Sequence, residues 1–374
     1  MLIAFYAPMK PLDDPVPSGD RQMGRLIVRA LEEAGHRVTI AATGRSWSRH
    51  GGGEQHALRA ICEAEADALI ARGRDAELRP DLWITYHLYH KAPDWIGPKV
   101  CDALGLPYIV IEASRAKKRA TGAWAEGFAA ADRALRRADA AVALHAEDAE
   151  GLAEIVSQER LFRVAPFIDA ARFQSERRAP SPRSTAIRLL TVAMMRRGDK
   201  EHSYTVLAEA LARLGDRAWS LTIAGDGAAR EDILALFPPE RTRWLGLVAP
   251  EQVAAVYGEA DLFVWPAVNE AFGLVFLEAQ AAGLPVVAGR TGGVPDVVGD
   301  GVTGILAREG DAADFATALS RFLDRPEDLA AFGARAQAAV EKRHGLAIGS
   351  KALQNVLDAV MAARALPPAL SGLT

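Results

Sequence analysis

Short apolar runs alternate with stretches of helical periodicity along this chain, and the alternation occurs twice. Leu2–Ala7, Val38–Ala42, Leu82–Tyr86, Tyr108–Ile111 and Ala140–Ala143 form the first series. Leu189–Met194, Ser220–Ala224, Trp244–Val248, Leu262–Trp265 and Pro285–Ala288 form the second. Apolar strands unbroken by polar residues are buried on both faces, as in parallel sheets covered by helices. The segments between them read as helices. Met23, Leu26, Ile27, Ala30 and Leu31 repeat at the spacing of one helical face over Asp20–Glu33, and Gly35 ends that helix. A second helix is expected from Glu54 to Ala71, after the loop Gly51–Gly53. The pattern predicts an α/β chain with two doubly wound domains.

The length of 374 residues fits that count. Ser175–Ser184, rich in Arg, Pro and Ser, reads as the linker. The domains are expected at 1–170 and 171–345. The remainder, 346–374, carries a long amphipathic helix over Leu346–Ala365 and a loose tail. The formal net charge of −4 lacks the basic surplus that a nucleic-acid partner calls for. Cys62 and Cys101 stand far apart and match no metal pattern, which fits a reducing cytoplasm. The apolar start is too short for a signal segment, and no run of about 18 uncharged apolar residues occurs. Any membrane contact is therefore expected to be peripheral.

The densest chemistry lies in Asn269-Glu-Ala-Phe-Gly-Leu-Val-Phe-Leu-Glu278, followed by Ala-Gln-Ala-Ala-Gly283-Leu-Pro-Val-Val. A strand ends at Trp265-Pro266, and a helix is expected to start near Ala271 or Phe272 and stop at Gly283. Glu270 then sits at the helix N-terminus and Glu278 two turns inside. Eight residues rise about 12 Å and turn by about 80°, so both carboxylates can line one side of a crevice at the strands' C-terminal ends. The free N–H groups of Phe272, Gly273 and Leu274 favour phosphate. Ionised Glu accepts several hydrogen bonds, which suits sugar and ribose hydroxyls. A plain reading competes, with Glu270 as a helix cap and Glu278 as a solvated helix residue. Glycosidase carboxylates face one bond about 5–9.5 Å apart, a spacing that the helical rise disfavours here.

This constellation resembles the family 4 retaining glycosyltransferases (group 1 glycosyl transferases) of the GT-B fold, whose signature is Glu, seven residues, Glu. Ala-Gly-Leu-Pro-Val-Val (282–287), Gly-Gly-Val-Pro-Asp-Val-Val (292–298) and Gly-Asp-Gly-Val-Thr-Gly-Ile-Leu (299–306) resemble the family's next segments. Upstream, Leu-Thr-Ile-Ala-Gly-Asp-Gly (221–227), Leu-Gly-Leu-Val (245–248) and Ala-Asp-Leu-Phe-Val-Trp-Pro (260–266) fit in order. The resemblance implies two Rossmann-like domains facing a central cleft. It implies that Glu278 holds the donor ribose, while Glu270 and the amides of Phe272, Gly273 and Leu274 contact the donor sugar and phosphates. Gly292 and Gly293 follow a strand, where they either approach the donor or form a plain turn.

A diphosphate needs cations. After the strand Leu189–Met194 comes Met195-Arg-Arg-Gly-Asp-Lys200. The family carries Gly-Arg-Leu and then Lys-Gly here, whereas Ala193-Met194 occupies the Gly-Arg slot and the arginines come later. Lys200 carries over, with Arg196 as second cation and Arg197 as an alternative to it. Pro166-Phe-Ile-Asp169 resembles the interdomain segment and reads as a hinge. Pro15-Val-Pro-Ser-Gly-Asp-Arg21 resembles the glycine-containing loop of the first domain, reduced to Gly19, with Ser18 either capping the helix or touching ligand.

The family's N-terminal half often holds a His near the donor sugar. His87 is the first candidate and His90 the second, each set against an ordinary surface or core histidine. No His-x-x-x-His and no acidic cluster of metal spacing occurs, so no metal and no cofactor are expected. Charge neutralisation falls to Lys200, Arg196 and the helix dipole. Arg115-Ala-Lys-Lys-Arg119, with Trp124 and Phe128, is the one basic patch with aromatics. It suits anionic lipid or a phosphorylated acceptor, or is a solvated face beside core aromatics.

The expected activity is retaining transfer of a sugar from a nucleoside-diphosphate sugar to an acceptor hydroxyl on a glycan, a lipid-linked carrier or a small molecule. Three rivals stand beside it. A nucleotide-sugar 2-epimerase of the same fold needs no acceptor and would use carboxylates of the first domain, of which Glu112 is the candidate. A non-catalytic sugar-nucleotide binder would account for the displaced arginine. A nicotinamide-dependent oxidoreductase lacks its Gly-x-Gly-x-x-Gly fingerprint after the first strand.

Overall fold

The computed structural model describes residues 1–16, 18–174 and 186–365. These fall into two compact units. The first is Met1–Ala165 together with the chain from Ala347 on, and the second is Pro166–Leu346.

The first unit runs β1 (Leu2–Tyr6), α1 (Gly19–Glu33), β2 (Arg37–Ala42), α2 (Gly53–Arg72), β3 (Leu82–Leu88), α3 (Gly97–Leu104), β4 (Tyr108–Ala113), α4 (Ala125–Arg137), β5 (Ala140–Ala143), α5 (Ala146–Leu152) and β6 (Leu161–Arg163). The strands form a six-stranded parallel sheet in the order β2-β1-β3-β4-β5-β6. The order reverses direction at β1, as doubly wound sheets do. Every residue of β4 and β5 is buried; β5 is apolar throughout, and β4 is apolar up to Glu112. Ser18 Oγ accepts from Arg21 N at 3.2 Å and starts α1. That helix buries Met23, Leu26, Ile27, Ala30 and Leu31, the face set by their spacing. Gly35, at φ +86°, ends it in a conformation that only glycine adopts without strain.

The second unit runs β7 (Ile187–Val192), α6 (Asp199–Ala212), β8 (Trp219–Ala224), α7 (Arg230–Leu234), β9 (Thr242–Trp244), α8 (Pro250–Gly258), β10 (Leu262–Trp265), α9 (Leu274–Ala281), β11 (Val286–Arg290), α10 (Val294–Val297), β12 (Gly304–Arg308), α11 (Ala312–Asp324) and α12 (Asp328–Arg343). Its six parallel strands are ordered β12-β11-β10-β7-β8-β9. Central β10 is buried throughout and carries Phe263 and Trp265, neither exposed at all. Burying one such side chain contributes about 1.5–3 kcal/mol.

The last helix, α13 (Leu346–Ala365), belongs with the first unit from Ala347 on. Ser350 Oγ donates to Ala30 O at 2.8 Å, Gln354 meets the His36 ring at 2.7 Å, and Arg364 reaches Asp139 at 3.2 Å. Within the second unit, Ile168 N donates to His344 O at 2.8 Å and the His344 ring meets Pro166 O at 2.7 Å. The two strands of chain that leave this unit are thus clasped side by side.

Three expectations need correction. Strands β6 and β12 add to those expected from the apolar runs, and β9 lies over Thr242–Trp244 instead of Trp244–Val248. All three are at sheet edges; partial exposure removes the unbroken apolar signature of β6 and β9, whereas β12 is mostly buried and is simply short, and Leu247, read as strand, is a loop residue 62% exposed. The helix expected near Ala271 begins at Leu274, because Ala267 (φ +56°), Asn269 (φ +51°) and Gly273 (φ +68°) are left-handed. Glu270 is therefore a loop residue, not a helix terminus, and the helical-rise argument does not apply to it. The linker 175–184 and the tail 366–374 lie outside the described residues.

Candidate functional site

The loop from Pro266 to Gly273 leaves the C-terminal end of central β10 and is tied down by its neighbours. Val268 N donates to Ser203 Oγ at 3.0 Å, Asn269 N to Glu309 Oε1 at 2.7 Å, and the Asn269 amide to Asp199 Oδ2 at 2.8 Å. Those anchors lie on α6 and on the turn after β12, and they hold Glu270 in place. Lys200, in the first turn of α6, donates its Nζ to Glu270 Oε2. Trp265 completes the group. Its indole N–H approaches the same oxygen at 3.4 Å, and the Lys200 ammonium lies 5.5 Å from its ring centroid. The fold thus joins Lys200 and Glu270, two site residues 70 positions apart. Trp265, legible in the sequence only as a strand residue, is the third member.

Gly273 caps the start of α9, where N–H groups lack intrahelical acceptors. Phe272 and Leu274 turn their side chains into the core, 6% and 5% exposed, which leaves their backbones as the groups a ligand could meet. Gly292 (φ +45°) and Gly293 pack against the same loop. A Cβ on Gly292 would collide with the carbonyl of Glu270, and Gly293 N donates to Ala271 O. Gly292 is therefore required by backbone contact, whatever else it does, while Gly293 contributes its N–H.

Glu278, half-buried on α9, accepts the Tyr257 hydroxyl at 2.8 Å. Burial pushes its carboxyl above the ordinary value, partly offset by that hydroxyl and by Arg172. Tyr257 is wholly buried on α8 and packs edge-on against Phe173 at 5.7 Å. Nothing in the spacing of Tyr257 signalled this partnership. At the ends of β8 and β9, Gly225 N donates to Gly246 O at 2.8 Å and the Trp244 indole to Gly225 O at 2.8 Å. Met195 N donates to Asp226 O at 3.0 Å, which binds the loop after β7 to the one after β8.

The arginines of that loop separate. Arg197 pairs with Glu201 and Asp232 and is held by acids on α6 and α7. Arg196 is exposed on the turn before α6, its carbonyl accepting Glu201 N at 3.1 Å.

In the first unit, Gly19 opens α1 with nothing near its missing Cβ. His87 and Glu112, near the ends of β3 and β4, are both left-handed (φ +62° and +57°). His87 Nδ1 lies 3.4 Å from Asp20 Oδ1 and 3.5 Å from Glu112 Oε1. Burial raises the Glu112 carboxyl above its usual range. His90 is placed apart, edge-on to Trp124 at 5.6 Å, and burial lowers its imidazole to about 4. The basic patch is partly neutralised: Arg115 pairs with Asp132 and Glu154, Lys117 pairs with Glu154, and Trp124 and Phe128 are core residues. Cys62 and Cys101 are free and buried. Among the described residues no helix is long and apolar enough to cross a membrane.

Residues 183–339 match the family described as glycosyl transferases group 1. A D-inositol 3-phosphate glycosyltransferase of Corynebacterium kroppenstedtii is 48% identical over 94 residues, 25% of this chain and 21% of the relative. The sulfoquinovosyl transferase SQD2 of Arabidopsis thaliana is 38% identical over 121 residues, 32% of this chain and 24% of the relative. The chain thus spans about a quarter or less of the length of these relatives. Among solved structures, Anabaena HepE in complex with UDP superposes with a TM-score of 0.72 at 16% identity, covering 96% of this chain and 100% of that one. Sucrose-phosphate synthase from Thermosynechococcus elongatus does so with a TM-score of 0.74 at 18% identity, covering 96% and 100%. These likenesses establish the GT-B fold expected from the sequence.

Proposed function

We propose that this protein is a retaining glycosyltransferase of family 4, moving a sugar from a nucleoside-diphosphate sugar to an acceptor hydroxyl. The observation that carries the reading is the Lys200–Glu270 pair beside Trp265, set before α9 and inside the segment that matches the group 1 family. In this reading the donor diphosphate takes over the Lys200 ammonium, and the N–H groups of Gly273 and Leu274 add further donors. Glu270, released from the lysine, accepts hydroxyls of the sugar. Glu278 accepts the ribose hydroxyls with its orientation held by Tyr257. Arg196 is the second cation, and Gly19 and His87 keep the roles in the first unit that the family resemblance implies.

As the bond from the anomeric carbon to the diphosphate oxygen breaks, positive charge spreads over the sugar ring and negative charge grows on the leaving group. Preorganised donors aimed at that growing charge supply the large electrostatic term of catalysis. With no carboxylate assigned as nucleophile, the acceptor oxygen attacks the face the diphosphate leaves and hands its proton to a phosphate oxygen. The HepE complexes with UDP and with UDP-glucose, and the phosphorylated acceptor in the name of the inositol-phosphate relative, support a nucleotide donor and an alcohol acceptor.

The test is thermal unfolding with UDP, GDP, ADP, their sugars and NAD, followed by NMR of the product. Ligand at ~100 times its dissociation constant adds about 2.7 kcal/mol, a shift of a degree or more. A rise with one nucleotide sugar, lost in Glu278→Ala, supports the donor site. A rise with NAD alone, or an inverted anomeric centre in the product, overturns the reading. Turnover of the nucleotide sugar without acceptor would point to the epimerase instead.

A further inference from the structure

One carboxylate oxygen joins two loops at the C-terminal end of the second unit's sheet. β10, β11 and β12 are parallel neighbours, so residues that follow their ends come together. The loop 266–273 after β10 carries Glu270, the loop 291–293 after β11 carries the two glycines, and Glu309 stands on the turn after β12. Glu309 Oε1 accepts the backbone N–H of Asn269 at 2.7 Å and the hydroxyl of Thr291 at 2.9 Å.

Charge pairing does not account for Glu309. Its side chain is exposed, and the arginines nearest to it on β11 and β12 are engaged elsewhere: Arg290 pairs with Asp300, and Arg308 with Asp311 and Asp314. Asn269 is left-handed at φ +51°, a backbone that non-glycine residues keep only where their surroundings impose it. Two carboxylates impose it here. The Asn269 side chain donates to Asp199, the residue before Lys200, and its N–H donates to Glu309. Glu270 follows directly, with its own carboxylate on Lys200.

We propose that Glu309 is a positioning residue of the donor site, locking the Glu270 loop and the glycine loop into one arrangement before a nucleotide sugar arrives. The proposal deepens the donor reading and rests on it. A loop ordered in advance does not have to be ordered by the ligand. A displacement of about 1 Å in groups that orient a substrate can lower a rate roughly a hundredfold. Glu309 acts through Asn269 and Thr291 and need not touch the sugar itself.

The test compares Glu309→Ala, Glu309→Gln and Thr291→Val in the full-length protein. Alanine removes both hydrogen bonds, glutamine keeps an acceptor oxygen, and Thr291→Val removes one bond only. Nucleoside diphosphate released from UDP-glucose, GDP-mannose and ADP-glucose gives kcat and KM, and hydrogen exchange of the free protein reads the order of both loops. In Glu309→Ala kcat should fall by about tenfold or more, with faster exchange over 266–273 and 291–293. Glu309→Gln should recover most of both, a rescue that loss of charge alone would not allow. Adding Thr291→Val to Glu309→Ala should cost nothing further, because the shared acceptor is already gone. An active wild type beside an equally active Glu309→Ala overturns the proposal and leaves the donor reading standing. A Glu309→Gln protein as impaired as Glu309→Ala also overturns it, since charge and not the shared acceptor would then matter. Wild-type protein that consumes none of the three donors and is not stabilised by them refutes the donor reading, and the role of Glu309 with it.

Discussion

The Tyr257 hydroxyl donates to Glu278 Oε2 at 2.8 Å, from a phenol wholly buried on α8 to a carboxyl on α9. The hydrogen bond sets the direction of the free carboxylate oxygen, and burial makes its ionisation unfavourable. If Glu278 holds the donor as proposed, binding and stability make opposite demands on it, which separates the two consequences of changing it.

Glu278→Gln should bind a nucleotide sugar roughly 30- to 150-fold more weakly, the loss of about 2–3 kcal/mol from hydrogen bonds to a charged group. It should also unfold at a higher temperature at neutral pH. With the folded-state pKa raised, the stability contributed by the neutral carboxyl is complete below the ordinary carboxylate range and lost as pH rises through the raised value. Melting curves of both proteins from pH 4 to 8 should therefore diverge upward. Parallel curves would remove the buried-charge argument.

Lys200→Met removes the ammonium that Glu270 holds ready. If that ammonium meets the leaving diphosphate, kcat should fall by about 10²–10³, the usual effect of deleting one transition-state donor. Steady-state kinetics with saturating donor distinguish this from weakened binding, which would leave kcat intact and raise KM.

Gly292→Ala and Gly19→Ala make opposite stability tests of the two glycine sites. Gly292 is left-handed and its Cβ would strike the carbonyl of Glu270, so Ala there should destabilise by about 1–3 kcal/mol and disturb the loop. Gly19 has open space and ordinary φ at the start of α1, so Ala should be neutral or stabilising by up to about 1 kcal/mol. Lost activity in a stable Gly19→Ala protein would show that the space belongs to a ligand. Denaturant midpoints with activity assays check both.

His344 is 3% exposed, and burial lowers its imidazole below the ordinary value of 6.5 despite its bond to Pro166 O. A depressed histidine pKa means the unfolded chain takes up the proton first. The neutral ring's contribution is thus present above pH 6.5 and declines as pH falls toward the folded value. His344→Asn keeps a donor for Pro166 without titrating. Its urea midpoint should change less than that of wild type between pH 7.5 and 5.

Local and nearest-neighbour physics made much of this protein legible from its sequence. Interior strands such as β5 and β10 are apolar throughout because both faces are buried, and α1 shows its buried face in a 3.6-residue rhythm. Glu270, Glu278 and Lys200 stand out as candidates because their segment matches a known family pattern over many residues. Edge strands β6 and β9 escape a sequence reading because partial exposure erases the period, and β12 because its apolar run is only four residues long. The start of α9 was misjudged because left-handed Ala267 and Asn269 are imposed by contacts to Ser203, Asp199 and Glu309, none of them local. The pairing of Lys200 with Glu270, of Tyr257 with Glu278, and of His87 with Asp20 and Glu112 was likewise decided by tertiary structure. Parallel strands bring together loops tens of residues apart, and side-chain chemistry carries no record of that distance until the sheet is formed.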